Sequence, residues 1–423
     1  MKTLLTLTAL ATLASLTYSF DRTSQDDEQA RLEKLARGIE GEIAELRGQT
    51  FQHAVTVDAI STEGLVDYVK GVMAKEAELQ AHHERMQKML GLLDEDADLT
   101  ALTIELLEEQ VGGFYDPPTD TFYVMEGLGD DLVRVVMAHE LVHALDDQHH
   151  SLDDLDQGRL ANSDARLALH AVAEGSAMVL MSQWMVANMA TLDMAAVAES
   201  QSSMGTEALA KTPDVLWKPL LASYLRGMMF LRSSGMEQNA ALDHVYANPP
   251  LSSEQILHPK KYWNEDERDD PIEFELVEHD LPEGAEILHT DTFGELGLAI
   301  LTTPLKKRGA PKNEIAMLGV RYTNRAAEGW GGDRWALVSL GEGHVLHLVT
   351  RWDTGDDAEE FHDNVVENGS ALNDALGEGN GHLVERNGET VMLTTYRGVT
   401  SDQAKAVAAG IAQEQSESEA SDG

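Results

Sequence analysis

The spacing of apolar residues changes along the chain, and each change marks a different kind of element. From about Asp26 to Gly48, and again from about Ser61 to Gln110, apolar residues recur at helical intervals among many charged ones. This pattern predicts scaffold helices with solvated faces. Between Gly112 and Gly127 the sequence GGFYDPPTDTFYVMEG places two short aromatic and β-branched runs around a proline-rich turn, which predicts a β-hairpin.

Two apolar helices are predicted after this hairpin. The first runs from about Asp131 to about Gln148, and the second begins near Asn162 or Ser163, either of which can cap it. The second helix is apolar enough to be buried, yet it contains Glu174. An acid on such a helix needs a partner, because burying an unpaired charge is costly.

From about Ile272 the pattern becomes strand-like with interspersed helices, as in RWALVSLGEGHVLHLVTRWD, and indicates a separate unit. The predicted fold class is therefore α+β: a mostly helical region with a small hairpin or sheet, followed by a smaller α+β domain. The predicted divisions are a signal peptide at 1–19, an N-terminal helical region at 20–110, a catalytic region at 111–265, a C-terminal α+β domain at 271–412 and a disordered acidic tail at 413–423.

The N-terminal segment MKTLLTLTALATLASLTYSF has a lysine, an apolar run and small residues near a cleavage point after Ser19. It predicts a secretory signal peptide and a secreted or periplasmic protein, with an uncleaved anchor as the alternative. No stable membrane span is expected after cleavage. The sequence contains no cysteine, so disulfides and a lipid-modified cysteine are excluded. Any zinc would have to be held by His, Asp and Glu.

The charge balance is strongly acidic. There are 74 acidic residues against 31 basic ones, which gives a formal net charge of −43. Such a protein repels nucleic acids and anionic membranes, so neither is expected as a partner. An acidic, lysine-poor composition also suits a halophilic protein, because high salt screens the repulsion between like charges.

The first apolar helix carries VMAHELVHALDDQHH, in which His139, Glu140 and His143 form a His-Glu-x-x-His motif. Residues i and i+4 share one helix face, so both imidazoles can bind one Zn²⁺ ion. Glu140 then lies beside the metal, where it can take a proton from water and pass it to a leaving amine. The motif predicts metal-dependent hydrolysis.

The third ligand has two candidates. His149 follows His139 by ten residues, the metzincin spacing, but Asp146 stands where those enzymes have a turn glycine. Glu174, which follows His143 by 31 residues, is favoured because coordination would explain an acid on an apolar helix. Gly175 would let that helix pack closely against the motif helix.

Other side chains complete the predicted site. Tyr224 and His258 are candidates for stabilising the oxyanion, and the hairpin edge near Phe114 and Tyr115 for aligning a peptide. Asp146 and Asp147 are predicted to accept hydrogen bonds that orient the histidines, and His170 to be a spare ligand or a solvated side chain. His82 and His83 are predicted to be surface histidines.

Taken together, AHELVHALDDQH, AVAEGSA, PPLSSEQILHPKKY and GGFYDPPTDTFYV resemble the gluzincin-type zinc metallopeptidases, and in particular secreted bacterial proteins of that kind. The resemblance covers about Gly112 to Tyr262. It implies a zincin-like catalytic domain that acts on a peptide or protein, with His139, His143 and Glu174 as zinc ligands and Glu140 as general base and acid. Met178 departs from the family pattern, since better-known gluzincins have Asp four places after the glutamate.

Two alternatives stay open at this point. One is a metzincin-like site that uses His149. The other is a non-catalytic zinc-binding protein of the cell envelope, although a purely structural site has no use for a base at Glu140.

Overall fold

A computed structural model describes residues 6–9, 22–159, 161–202, 211–304, 308–310 and 319–415. Helices predominate before about residue 265 and sheets afterwards, which confirms the α+β class. The elements of the first part are β1 (Thr6–Ala9), α1 (Arg22–Arg47), β2 (Thr56–Ile60), α2 (Thr62–Lys75), α3 (Ala77–Met89), α4 (Leu99–Gln110), β3 (Val111–Asp116), β4 (Thr121–Met125), α5 (Asp130–His150), α6 (Leu152–Gln157), α7 (Ser163–Asn188), α8 (Met194–Ser202), α9 (Asp214–Arg232), α10 (Gln238–Ala247), α11 (Ser253–Leu257) and α12 (Lys260–Trp263).

The second part holds the larger sheet and its helices. Its elements are β5 (Phe274–Glu278), β6 (Ala285–Asp291), α13 (Gly294–Leu301), β7 (Trp330–Leu340), β8 (Gly343–Trp352), α14 (Gly355–Leu376), β9 (Gly381–Asn387), β10 (Thr390–Arg397), α15 (Ser401–Ala409) and β11 (Ile411–Gln415).

The motif helix α5 lies at the centre of the first part. It is packed by α1 and α7 and by strands β3 and β4, so its apolar residues are buried on all sides. Two acidic residues, Asp130 and Asp131, occupy its first turn, where their negative charges interact favourably with the positive end of the helix dipole. Ser151, with φ of 52°, ends it in a left-handed conformation.

The predicted hairpin is present beside this helix. β3 and β4 pair antiparallel, joined by a 3₁₀ turn at Pro117–Thr119, and the sheet order is β1-β3-β4-β2. β2 pairs parallel with β4 and was not predicted; it lies between the two predicted helical segments, inside the predicted N-terminal helical region. β1 pairs antiparallel with β3. It falls within the predicted signal peptide, the rest of which lies outside the described residues.

Helix α7 begins where its cap was predicted, since the Asn162 side chain accepts a hydrogen bond from the N–H of Ala165. It packs on α5 and on α9. Gly175 faces α9 rather than α5, which corrects the predicted role of that glycine. A methyl group at Gly175 would lie 2.5 Å from the carbonyl carbon of Gly227 on α9, so the two helix backbones are in direct contact.

The larger sheet is antiparallel throughout, with the order β6-β7-β8-β10-β9. Trp330, Trp335 and Trp352 lie in a core that the sheet shares with α13 and α14, and also with Met86 and Met89 of α3. The N-terminal helices are therefore packed on the C-terminal sheet rather than separate from it.

β5 and β11 pair antiparallel and form a separate two-stranded sheet. Residues 413–415, predicted to belong to a disordered tail, belong to β11 and pair with Phe274–Leu276. The rest of the predicted tail lies outside the described residues. Within the described part of the chain, no helix has both the length and the apolarity to cross a bilayer.

Candidate metal centre

Three side chains converge in the buried interior between α5 and α7. Nε2 of His139 lies 3.1 Å from Nε2 of His143 and 3.1 Å from Oε2 of Glu174, and Nε2 of His143 lies 3.4 Å from that same oxygen. Both histidines are fully buried and Glu174 is nearly so. The structure thus brings together the two motif histidines and the acid that was favoured as their partner.

The dimensions of this triangle fit a metal ion. Ligand atoms about 2.0–2.1 Å from a tetrahedral Zn²⁺ are separated by roughly 3.3–3.4 Å. The three measured separations lie close to that value. Two imidazole nitrogens and a carboxylate oxygen that face one another repel unless a cation or a proton lies between them, so this donor set suits a bound divalent ion.

Local structure explains why these atoms meet. The two histidines are one helical turn apart on α5, and their rings lie edge to face with centroids 4.8 Å apart. Burial raises the pKa of the Glu174 carboxyl, but the neighbouring His143 and His139 rings outweigh that effect and lower it to about 2. Burial lowers the pKa of His139 more than Glu174 raises it. Both shifts favour an ionised carboxylate beside neutral imidazole, the forms that bind metals.

Glu140 is completely buried next to these ligands. Its Oε2 accepts a hydrogen bond of 2.8 Å from the backbone N–H of Tyr115, whereas Oε1 has no hydrogen-bond partner among the described residues. Burial and the nearby Glu174 carboxylate raise the pKa of Glu140 well above its usual range, against the Tyr115 hydrogen bond. One oxygen is therefore held in place and the other is available to a proton.

The hairpin supplies this hydrogen bond through its backbone. The Tyr115 hydroxyl instead lies 3.0 Å from Oδ1 of Asp120 and 3.0 Å from Oδ2 of Asp147. Phe114 packs in a separate aromatic cluster with Tyr68 and Tyr123, away from the metal ligands. Of the two aromatic residues predicted to contact substrate, Tyr115 is thus hydrogen-bonded to Glu140 through its backbone, and the Phe114 side chain is part of the core.

The prediction that Asp146 and Asp147 orient the histidines is wrong. Asp147 accepts from Tyr115, and Asp146 is bound by Ser176, Tyr246 and Arg47. The Nδ1 atoms of His139 and His143 are buried without a hydrogen-bond partner in the described part of the chain. Packing, rather than an acceptor, fixes these rings. Tyr246 and Arg47 were missed because no sequence spacing relates them to the motif.

Tyr224 lies next to the site. Its ring centroid is 6.0 Å from that of His139, and it lines a cavity of about 360 Å³ together with Glu174 and His170. The other walls of this cavity are mainly apolar and come from α2, α3, α4, α7 and α9; they include Val69, Met73, Leu99, Leu107, Leu216 and Leu220. The cavity gives the buried centre a space in which part of a ligand fits.

The remaining candidate residues lie outside the ligand group. Nε2 of His149 is 2.9 Å from the carbonyl oxygen of Thr50, so His149 does not join the ligand group and the metzincin-like alternative is not supported. His258 pairs with Glu295 at 2.9 Å, and His170 pairs with Asp156 at 2.9 Å. His170, a predicted spare ligand, is therefore not in the ligand group, and His258, a predicted oxyanion stabiliser, is paired with a carboxylate of α13.

Comparison with known proteins gives a match in the C-terminal part of the chain. Residues 285–409 match the model of a family described as a domain of unknown function, DUF8575. This segment covers less than half of the chain and contains the larger sheet, not the metal centre. No curated protein and no solved structure matches the chain.

Proposed function

We propose that this protein is a zinc-dependent peptidase of the gluzincin type, exported from the cell. The observation that carries the proposal is the convergence of His139, His143 and Glu174 at separations of 3.1–3.4 Å, with Glu140 next to His139 on the same helix. A metal triad alone would suit a structural site. A buried carboxylate with one unpartnered oxygen at its side suits hydrolysis.

His139, His143 and Glu174 would hold Zn²⁺, which when bound polarises a carbonyl group and lowers the pKa of water. Glu140 is the residue that moves the proton. The Tyr115 N–H fixes its Oε2. Glu140 must be ionised to act as a base, and a bound Zn²⁺ would favour that form by offsetting the burial and the Glu174 charge that raise its pKa. Oε1 then takes a proton from the attacking water and gives it to the leaving amine. The Tyr224 hydroxyl is the candidate donor to the carbonyl oxygen, since its ring borders both His139 and the cavity.

The edge of β3 supports a peptide as substrate. Thr6–Ala9 pairs antiparallel along Val111–Tyr115, so this edge can accept an extended chain. In our proposal the signal peptide that contains Thr6–Ala9 is removed on export, so the edge of β3 becomes available to pair with a substrate peptide. The edge lies against α5 and includes Tyr115, so a peptide paired with it is brought close to Glu140.

The cavity beside Glu174 favours a particular kind of peptide. Its apolar walls would accept an apolar side chain next to the cleaved bond, whereas a charged side chain would lose its hydration there. We therefore expect cleavage beside apolar residues.

The test measures bound zinc and peptide hydrolysis for purified, untagged protein. Wild type is compared with Glu140→Ala, Glu174→Ala and His149→Ala, using a broad peptide library. We expect Glu140→Ala to keep its zinc and lose hydrolysis, Glu174→Ala to lose hydrolysis and the zinc ion of this centre, and His149→Ala to keep both. A wild-type protein that binds zinc fully but cleaves no peptide in the library contradicts the proposal and supports a non-catalytic envelope protein.

A further inference from the structure

A second group of potential metal ligands lies where α3 meets the larger sheet. His83 of α3 and His289 and Asp291 of β6 each present a ligand atom within 4.8 Å of the other two. Nε2 of His83 is 3.0 Å and Nε2 of His289 is 3.9 Å from Oδ2 of Asp291. We propose that these three residues bind a second divalent metal ion, independent of the centre at His139. Two imidazoles and a carboxylate suit Zn²⁺ or a similar transition-metal ion.

The hydrogen bonds around this group leave its ligand atoms available. Asp291 is fully buried, and its two oxygens accept from the N–H and the hydroxyl of Ser163. These bonds hold the carboxylate in place, and Oδ2 keeps a lone pair on the side of the histidines. Nε2 of His83 and Nε2 of His289 are both buried, and neither forms a hydrogen bond of normal geometry among the described residues, although each lies close to Oδ2 of Asp291. Buried nitrogen atoms that converge on a carboxylate without well-formed hydrogen bonds suit a metal site.

The aromatic surroundings fix the two rings. His82 stacks on His289 with centroids 5.3 Å apart and an interplanar angle of 17°. Trp335 contacts both rings, with its centroid 5.6 Å from His83 and 5.3 Å from His289. His83 therefore belongs to a packed cluster at an interface, which corrects its prediction as a surface residue. Each ligand histidine still exposes about a fifth of its side chain, and His83 also lines the cavity beside Glu174, which gives an ion and a water ligand a route to the site.

Another cluster of carboxylates in this protein differs from this site because a lysine already pairs with it. Glu254, Asp269 and Asp353 also lie close together, but the ammonium group of Lys261 contacts all three at 2.6–3.0 Å. That group already contains its cation. At His83, His289 and Asp291 no Lys or Arg forms an ion pair with the carboxylate in the described part of the chain.

The position of the site gives it a structural role. It joins α3, which lines the cavity beside Glu174, to a strand of the matched 285–409 segment. Through Asp291 and Ser163 it also contacts the start of α7, the helix that carries Glu174. A metal here would hold three separate segments together. Because Nε2 of His289 lies 3.9 Å from Oδ2 of Asp291, farther than any ligand separation of the first centre, the second site should bind zinc more weakly.

The experiment counts metal ions with Zn²⁺ as the probe. Untagged protein is stripped with a chelator, equilibrated with micromolar Zn²⁺, gel-filtered and analysed for zinc by mass spectrometry. We expect two ions per chain in wild type, one in His289→Ala and one in His143→Ala. The matched control is His344→Ala, a half-buried histidine of the same sheet outside any ligand group, which should keep two.

The His143→Ala protein also tests the site with all its proposed ligands intact, so a folding defect in His289→Ala cannot obscure the result. Adding Zn²⁺ to it should bind one ion and raise Tm. A His143→Ala protein that binds no zinc, or a His289→Ala protein that keeps two ions, would overturn the proposal. If instead wild type binds one ion that only His289→Ala removes, this site is supported and the zinc peptidase is not.

Discussion

The backbone N–H of Tyr115 donates a hydrogen bond of 2.8 Å to Oε2 of Glu140, so a β-strand positions the carboxylate proposed as general base. Replacing Glu140 by Gln keeps the shape of the side chain and an oxygen that accepts this hydrogen bond. The amide cannot take a proton from water, so we expect peptide hydrolysis to fall by about 10²–10⁴-fold. Steady-state kinetics on a cleaved peptide will measure this.

Zinc content and the circular dichroism spectrum of Glu140→Gln should match those of wild type. Asp130→Asn is the control, since that carboxylate lies at the exposed start of the same helix and should leave the rate unchanged. A Glu140→Gln protein with near wild-type turnover would exclude Glu140 as the proton carrier.

The backbone contact between α7 and α9 makes Gly227 a sensitive position. A methyl group there would lie 1.9 Å from the carbonyl oxygen of Ala171, and a backbone atom cannot move aside as a flexible side chain does. We expect Gly227→Ala to lower the free energy of unfolding by about 1–3 kcal/mol, the usual cost of overpacking. Because α7 carries Glu174, zinc affinity should fall as well. Urea unfolding and zinc titration measure the two effects.

Gly71→Ala provides the matched control. Gly71 lies inside α2, and a methyl group there would meet no atom within 4 Å. Alanine should stabilise this helix by about 0.5–1 kcal/mol. Equal effects of the two substitutions would show that the close approach at Gly227 is not a constraint.

The grouping of His139, His143 and Glu174 could be predicted because each residue has a signal in the sequence. His139 and His143 share a helix face by their spacing, and Glu174 is conspicuous as an acid on a buried helix. The hairpin and the Asn162 cap were also predictable, since proline-rich turns and capping side chains have local sequence signals.

Contacts between distant segments carry no such signal. Asp146 looked like a partner for the motif histidines because it is near them in sequence, yet Arg47 contacts it from α1. His83 looked exposed because α3 is rich in charge, but the larger sheet covers it. In both cases the partner lies about a hundred or more residues away, and only tertiary packing determines which side chains meet.

The buried ion pair between Arg47 and Asp146 should be important for stability. Arg47 is 1% exposed and Asp146 fully buried, and Asp146 lies one turn after His143. Arg47→Met leaves Asp146 charged without its cation, so we expect a loss of about 3–5 kcal/mol in the free energy of unfolding. Arg31→Met is the control on the same helix. Its side chain is 38% exposed, and its ion pairs should contribute less than about 1 kcal/mol.

Urea unfolding of Arg47→Met and Arg31→Met will measure the loss of unfolding free energy in each variant. Similar losses for the two arginines would contradict the importance of burial. Zinc affinity should fall in Arg47→Met alone, because only Asp146 is next to the metal ligands in the fold.

The acidic composition leads to a prediction about salt. With a formal net charge of −43, repulsion between carboxylates opposes folding at low ionic strength. Because the Debye length falls to about 3 Å at 1 M salt, we expect Tm to rise steadily as NaCl is increased to molar concentrations. Neutral osmolyte at equal osmolality serves as the control, and a Tm independent of NaCl would contradict a halophilic protein.

Asp164 at the start of α7 gives a pH dependence whose sign can be derived. Its Oδ2 accepts from the N–H of Ser253, but burial dominates and raises the pKa of the carboxyl to about 7. In the unfolded chain the same carboxyl titrates near 3.9. Between about pH 4 and 7 the folded protein therefore holds the extra proton, so this group makes stability fall as pH rises through that window. Asp164→Asn removes the titration and should reduce the slope by up to about 1.4 kcal/mol per pH unit. Urea unfolding from pH 5 to 8 measures it, with the exposed Asp402→Asn as control. An unchanged slope would mean that Asp164 ionises in the folded protein as it does in the unfolded one.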